Sequence, residues 1–233
     1  MIDAHPPEPA LTAHAPAARF DCLAGIYRWM EYLTFGPYLA RCRLAFLSRV
    51  LGCRRAVVFG DGDGRFTARL LRANPGVEID AVDASPAMLD ALLCRAGGDA
   101  IRVHPYRADA RDWLPGNVQY DLVVSHFFLD CLTTGEIAAL AARIRRVVSP
   151  SARWVISEFA KPQGWYGRLA AGPVVWFLYR AFGVMTGLKV RRLPDHASAL
   201  RAVGFTLGMR QTWLHGLLAS EFWHLSRDEA GEI

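Results

Sequence analysis

The chain has 233 residues, 52% hydrophobic and 21% charged, with 27 Lys and Arg against 22 Asp and Glu for a net charge of +5. That size and balance suit one α/β domain with a sizeable core, and the absence of arginine–aromatic interleaving excludes a nucleic-acid partner. Its five cysteines (Cys22, Cys42, Cys53, Cys94, Cys131) form no C-x-x-C pair and its seven histidines are dispersed, which excludes a disulfide framework or metal site and reads as a reducing, cytoplasmic interior.

In chain order, residues 1–18 are rich in Pro and Ala without a charged start and apolar run, so they read as a disordered leader. Residues 19–53 read as a helical cap, in which Arg41, Arg43 and Arg49, with Arg54 and Arg55 just beyond, form a solvated basic face. Ala56 to Phe59 then read as a short buried strand and Phe66 to Arg72 as the first turns of a helix. Between them lies Gly60-Asp61-Gly62-Asp63-Gly64. Glycines there let the chain turn tightly and let a ligand approach the backbone amides at a helix N-terminus. The spacing is G-x-G-x-G. It fails the dinucleotide fingerprint G-x-G-x-x-G, and two aspartates inside the loop repel a pyrophosphate. A nucleoside carrying an ammonium group is the ligand that suits it.

The next strand, Ile79 to Asp83, ends in a carboxylate placed to accept both ribose hydroxyls. Ala84-Ser85-Pro86 follows as a helix start, with Ser85 as N-cap and Pro86 at the first helical position. A third strand near Ile101 to Tyr106 leads to Asp109, placed to accept an adenine amine, and Ala110. A fourth, Tyr120 to Ser125, runs into His126-Phe127-Phe128-Leu129-Asp130. A helix over 134–148, with Arg143, Arg145 and Arg146 as a solvated basic run, precedes a fifth strand, Arg153 to Phe159. This rhythm predicts a doubly wound, mostly parallel sheet with ligands at the carboxyl ends of its strands.

The order Gly60-Asp61-Gly62-Asp63-Gly64, Asp83, Asp109-Ala110 and Tyr120-Asp121-Leu122-Val123-Val124-Ser125 resembles the class I S-adenosylmethionine-dependent methyltransferases. The resemblance implies a Rossmann-like α/β fold with a seven-stranded sheet: core 54–160, helical lid or insertion 161–204, last strands 205–225, all in one domain over 19–233. It implies S-adenosylmethionine as cofactor, held by Gly60, Asp61, Gly62, Gly64, Asp83, Ala84, Asp109, Ala110 and Ser125, with no metal. The family usually carries an acid two places before the first glycine. Val58 stands there, so the methionine amino group falls to Asp61 or to backbone carbonyls. Two shorter segments, Phe20 to Glu31 and Leu193-Pro194-Asp195-His196 through Phe205, are similar to the ubiquinone/menaquinone-biosynthesis C-methyltransferases, with Arg28 and His196 as departures.

The lid, with a large apolar face over Trp165 to Leu188, is the most unusual region outside the core. Arg168 and Arg180 interrupt it, so Trp165 to Leu188 is not a membrane span. Trp165, Tyr166, Trp176, Phe177 and Tyr179 are placed either to line a site for a flat or greasy acceptor or to pack on the sheet or a second subunit. Methyl transfer is an in-line displacement that needs alignment in a dry pocket. A hydroxyl or phenol-activated carbon gains from a base, for which His126 comes first and Asp130 second, then His196 and Tyr27. The expected function is methyl transfer to a small hydrophobic or aromatic acceptor at carbon or oxygen, quinone-like or lipid-like. A homodimer and peripheral membrane contact are compatible with it. The alternatives are a cofactor-binding scaffold that has lost catalysis and a macromolecule methyltransferase. Ser125-His126-Phe127-Phe128, where an Asn-Pro-Pro-Tyr segment would stand, argues against amino-group methylation of bases or glutamine.

Overall fold

Short apolar runs closed by turn residues dictate the strands, and capped amphipathic stretches dictate the helices. A computed structural model describes residues 37–160 and 194–225. The strands are β1 (Arg55–Phe59), β2 (Glu78–Asp83), β3 (Val103–Arg107), β4 (Tyr120–His126), β5 (Val148–Phe159), β6 (Phe205–Trp213) and β7 (Leu218–Leu225). The helices among the described residues are α1 (Tyr38–Leu44), α2 (Arg65–Ala73), α3 (Pro86–Ala96), α4 (Thr134–Arg145) and α5 (His196–Ala202).

The sheet runs β3-β2-β1-β4-β5-β7-β6. β1 to β5 pair in parallel, and β7 lies antiparallel to both β5 and β6. The mostly parallel seven-stranded α/β architecture expected from the rhythm of elements is present. Because side chains alternate along a strand, each strand feeds two cores. Val57, Phe59, Val123, Trp154 and Ile156 join Ile137, Leu140 and Leu200 of α4 and α5 on one face. Ala56, Val58, Val124 and Val155 join Phe66 and Leu70 of α2 and Leu92 of α3 on the other. Strand order reverses between β1 and β4, and a crevice opens at the carboxyl ends of strands at such a switch point.

Caps fix the helix starts. The Ser85 hydroxyl accepts from the Met88 N–H at 3.4 Å, with Pro86 at the first helical position. Thr133 and Glu136 form a reciprocal capping box ahead of α4. At the other end of the sheet, buried Asp80 is held by the Arg55 guanidinium at 2.5 Å and by the Tyr120 hydroxyl at 2.5 Å, tying β2 to the starts of β1 and β4.

Two strand boundaries differ from the sequence reading. Residues Gly97–Arg102 form a 3-10 turn, so β3 begins two residues later than expected, and Ile101 is left exposed. Pro105 sits within β3 because that strand is an edge. β5 starts at Val148, five residues early, and its register against β4 shifts between Tyr120 and Leu122. Arg143 does not lie free on a solvated face, since its guanidinium donates to the Ala110 carbonyl at 2.7 Å. The segments 1–36, 161–193 and 226–233 lie outside the described residues. With them go the leader, Tyr27, most of the cap and the aromatic lid.

Candidate active site

The glycine loop joins β1 to α2 at the switch point, with Gly60, Gly62 and Gly64 at φ of 63°, 59° and 77°. Left-handed backbone at three alternate positions is what glycine permits, yet the three residues do different work. A Cβ on Gly60 would meet the Phe128 side chain at 2.8 Å, and one on Gly64 would meet Leu92 at 2.7 Å. A Cβ on Gly62 would meet nothing within 4 Å. Gly60 and Gly64 therefore serve close packing, and Gly62 presents bare backbone to open space.

Asp61 turns inward. Its carboxylate accepts the Phe66 N–H at 3.3 Å and the Thr67 N–H at 2.8 Å, capping the first turn of α2 in place of Gly64. Burial raises its pKa against those two donors. The side chain expected to receive an ammonium is thus committed to the helix. Asp83 closes β2 beside it: Oδ1 accepts the Ser85 N–H at 2.9 Å, and burial, with the Asp61 charge adding to it, pushes its pKa up to about 6. Ala84 lies between Asp83 and Ser85 in that turn. The Asp83 carbonyl accepts from Ala108 at 3.1 Å, which draws the segment after β3 alongside. There Asp109 is engaged by Arg111 through its guanidinium at 2.9 Å and its N–H at 2.8 Å, and Arg111 also reaches Glu136 at 2.8 Å. Ala110 is buried beneath them.

The loop after β4 links this region to a second one. Phe127 adopts φ 53°, a conformation costly for a side chain of its size and concentrated at functional turns. The side chain of Phe128 covers Gly60. Its N–H, and that of Leu129, donate to Glu158 Oε1 at 3.1 and 2.8 Å. Glu158, at the end of β5, is 4% exposed, and its Oε2 has no hydrogen-bond partner among the described residues. Arg111 also donates to the Cys131 carbonyl at 3.2 Å, so both flanks hold this loop. Beyond it opens a cavity of about 500 Å³ at the ends of β4, β5 and β7, lined by Asp130, Glu158, His196, Arg210 and Glu221 with apolar Ile156 and Phe159. His196 Nε2 lies 3.0 Å from Glu221 Oε2, which also accepts from Trp223 at 2.9 Å.

Two expected site residues are elsewhere. His126 shares the face of Val124, is 1% exposed and packs edge-on to Phe66 with ring centroids 4.7 Å apart. Neither ring nitrogen has a hydrogen-bond partner among the described residues. Burial, then the Arg43 charge, hold its pKa well below the ordinary value, so it is a neutral core residue and not a base on the cavity. Ser125 is fully buried, and its hydroxyl accepts from Trp154 at 2.9 Å. Conversely, Arg43 is no solvated cation. It is 9% exposed, stacks 5.2 Å from the Phe127 ring centroid, and its charge is felt by both Asp61 and His126. Glu158, Arg43 and Arg111 were missed as site residues. A lone acid closing an apolar strand was the signal for Glu158.

A methyltransferase-domain family matches residues 57–151, the span from β1 to the start of β5. The trans-aconitate 2-methyltransferase of Rhodococcus jostii (strain RHA1) is 38% identical over 98 residues, 41% of this chain and 36% of that protein. The Mycobacterium tuberculosis protein of the same name (strain ATCC 25177 / H37Ra) is 39% identical over 97 residues, 41% of this chain and 34% of its own length. The match therefore spans about a third of these curated relatives. Together with the glycine loop and the strand order, these likenesses support a class I S-adenosylmethionine-dependent methyltransferase. An O-methyltransferase family protein from Burkholderia thailandensis shares the fold at TM-score 0.67 and 17% identity, over 91% of this chain and 62% of that one. A mitomycin 7-O-methyltransferase does so at 0.64 and 15%, over 91% and 61%.

Glu158 thus holds the loop that covers Gly60. Glu158→Leu frees two buried N–H groups and is expected to cost about 2–5 kcal/mol in stability. S-adenosylhomocysteine affinity should fall with it, and calorimetric titration with urea unfolding would show both.

Proposed function

We propose that the chain transfers the methyl group of S-adenosylmethionine to a small, largely apolar acceptor seated in the cavity beyond Phe128. The observation that carries this reading is Gly62. Its bare, left-handed backbone opens to unfilled space in the loop after β1, at the switch point, two residues on from Gly60, which lies against Phe128. A cofactor with a polar amino-acid end and a ribose fits such a cradle.

When bound, the cofactor supplies an electrophilic methyl group on a sulfonium. The chain's residues align and desolvate. The Gly60–Gly64 backbone receives the methionine end, and its carbonyls take the ammonium because Asp61 faces α2 and Val58 is buried in the core. Arg43, whose charge is felt beside the loop, suits the methionine carboxylate. Asp83 accepts the ribose hydroxyls, and Asp109 and Ala110 border the adenine. Phe127 and Phe128 exclude water between cradle and cavity.

The curated relatives' name raises a tricarboxylate acceptor for this chain. Asp130 opposes one, since a polyanion would meet its carboxylate there with only the Glu221-engaged Arg210 and His196 across the cavity. No described helix is long and apolar enough to cross a membrane.

The test is incubation with cofactor tritiated in its methyl group and a lipid and quinone extract. Label should appear in an organic-extractable small molecule, and label confined to protein or nucleic acid would contradict the reading. Affinity should also depend on pH. Ribose hydroxyls require ionised Asp83, whose pKa in the free protein is about 6. S-adenosylhomocysteine affinity is therefore expected to be flat above that pH and to fall by up to about tenfold per unit below it. A flat profile from pH 5 to 8 would take Asp83 out of the ribose site.

A further inference from the structure

Asp130 and Glu158 form the one wall of the cavity that the cofactor reading leaves without a task. They meet from two elements, the loop after β4 and the end of β5. Glu158 is fixed: Oε1 accepts two backbone N–H groups, while buried Oε2 has no partner among the described residues. A buried polar oxygen left without a partner at a cavity wall is costly unless a ligand completes it. Asp130 is two residues from Phe128, whose side chain covers Gly60, so it is the cavity acid nearest the cradle along the chain.

Resting on the methyl-transfer reading, we propose that the cavity takes an aromatic acceptor with a phenolic or enolic hydroxyl, that Asp130 accepts its proton, and that Glu158 positions Asp130. The O–H bond breaks with its proton passing to the Asp130 carboxylate, and the oxygen lone pair forms the new O–CH3 bond. The S–CH3 bond breaks with its electron pair going to sulfur, which leaves S-adenosylhomocysteine. Asp130 returns the proton to water as product departs. Ile156 and Phe159 give the ring an apolar seat.

The charges around the pair agree. Burial and the Asp130 charge push the Glu158 pKa well above the ordinary range, so Glu158 keeps a proton while Asp130, raised to about 6, is ionised at neutral pH. Cys131 beside Asp130 is raised and stays a thiol. Arg111 is spent on Asp109 and Glu136. On the opposite wall Asp195 caps α5, and His196 and Arg210 pair with Glu221 of β7, two strands from β4 in the sheet order and farther from the methyl donor.

The test uses 2-naphthol and 2-naphthoate, which share a ring and differ at the reacting group. Titrated into protein saturated with S-adenosylhomocysteine, 2-naphthol should bind at least about tenfold tighter, and Asp130→Asn should shrink that ratio to about threefold or less. With S-adenosylmethionine, Asp130→Asn should lower turnover of 2-naphthol by about 100-fold. Homocysteine-form affinity and melting temperature should stay unchanged, and Asp130→Glu should restore part of the turnover. Equal binding of the two probes, binding of neither, or turnover of Asp130→Asn within threefold of wild type would overturn the proposal. So would loss of turnover in His196→Asn while Asp130→Asn stays active. If S-adenosylhomocysteine itself does not bind, the methyl-transfer reading fails. The probe ratio in cofactor-free protein then still decides the cavity's chemistry.

Discussion

Gly64→Ala is expected to lose about 2–5 kcal/mol of folding stability. The backbone at Gly64 has φ 77°, and a Cβ there would stand 2.8 Å from the Leu92 Cα and 2.7 Å from its Cγ. The left-handed conformation costs an alanine about 1–2 kcal/mol, and displacing the backbone of α3 costs about 1–3 more. Against a typical total of about 5–15 kcal/mol, that is a large share. Gly62→Ala carries the conformational cost alone, because its Cβ meets open space. It should keep the domain folded and lose cofactor. Urea unfolding of the two variants, paired with S-adenosylhomocysteine titration, separates packing glycine from ligand glycine. Equal destabilisation by both would remove the distinction.

Asp83→Ala should weaken S-adenosylhomocysteine binding by more than about tenfold, since charge-assisted hydrogen bonds to two hydroxyls are worth about 1.5–3 kcal/mol. The free protein should move the other way. Burial and the Asp61 charge raise the folded pKa of Asp83 from 3.8 to about 6. Stability is therefore complete below the unfolded value and is lost as pH rises through about 6. At neutral pH Asp83→Asn should raise the urea midpoint of the cofactor-free protein even as it weakens binding. A variant that binds like wild type would put the ribose elsewhere.

The fold was legible because its signals are local. Alternating glycines after an apolar strand, Ser85-Pro86 at a helix start and a carboxylate closing β2 each specify geometry within a few residues. The limits of β5 were not legible, because Ser149, Pro150 and Ser151 look like a turn, and they sit in an irregularity between the Tyr120–Val148 and Leu122–Arg153 pairs with β4. Site residues divide the same way. Asp83 stands at the end of β2 as its position in the sequence predicts. Asp61 and His126 carry suitable chemistry but face inward, one to cap α2 and the other because strand alternation places it beside Phe66. Nothing local distinguishes such a residue from a ligand contact. Glu158 and Arg43 acquire their roles from partners 29 and 84 residues away, Leu129 and Phe127, so no window of sequence contains them.

The most direct test of the account is calorimetric titration of the purified protein with S-adenosylmethionine and S-adenosylhomocysteine. Micromolar binding of both at one site, weakened in Asp83→Ala, is the expected result. Absence of binding by either would contradict it, and would leave a methyltransferase fold whose cradle holds no cofactor.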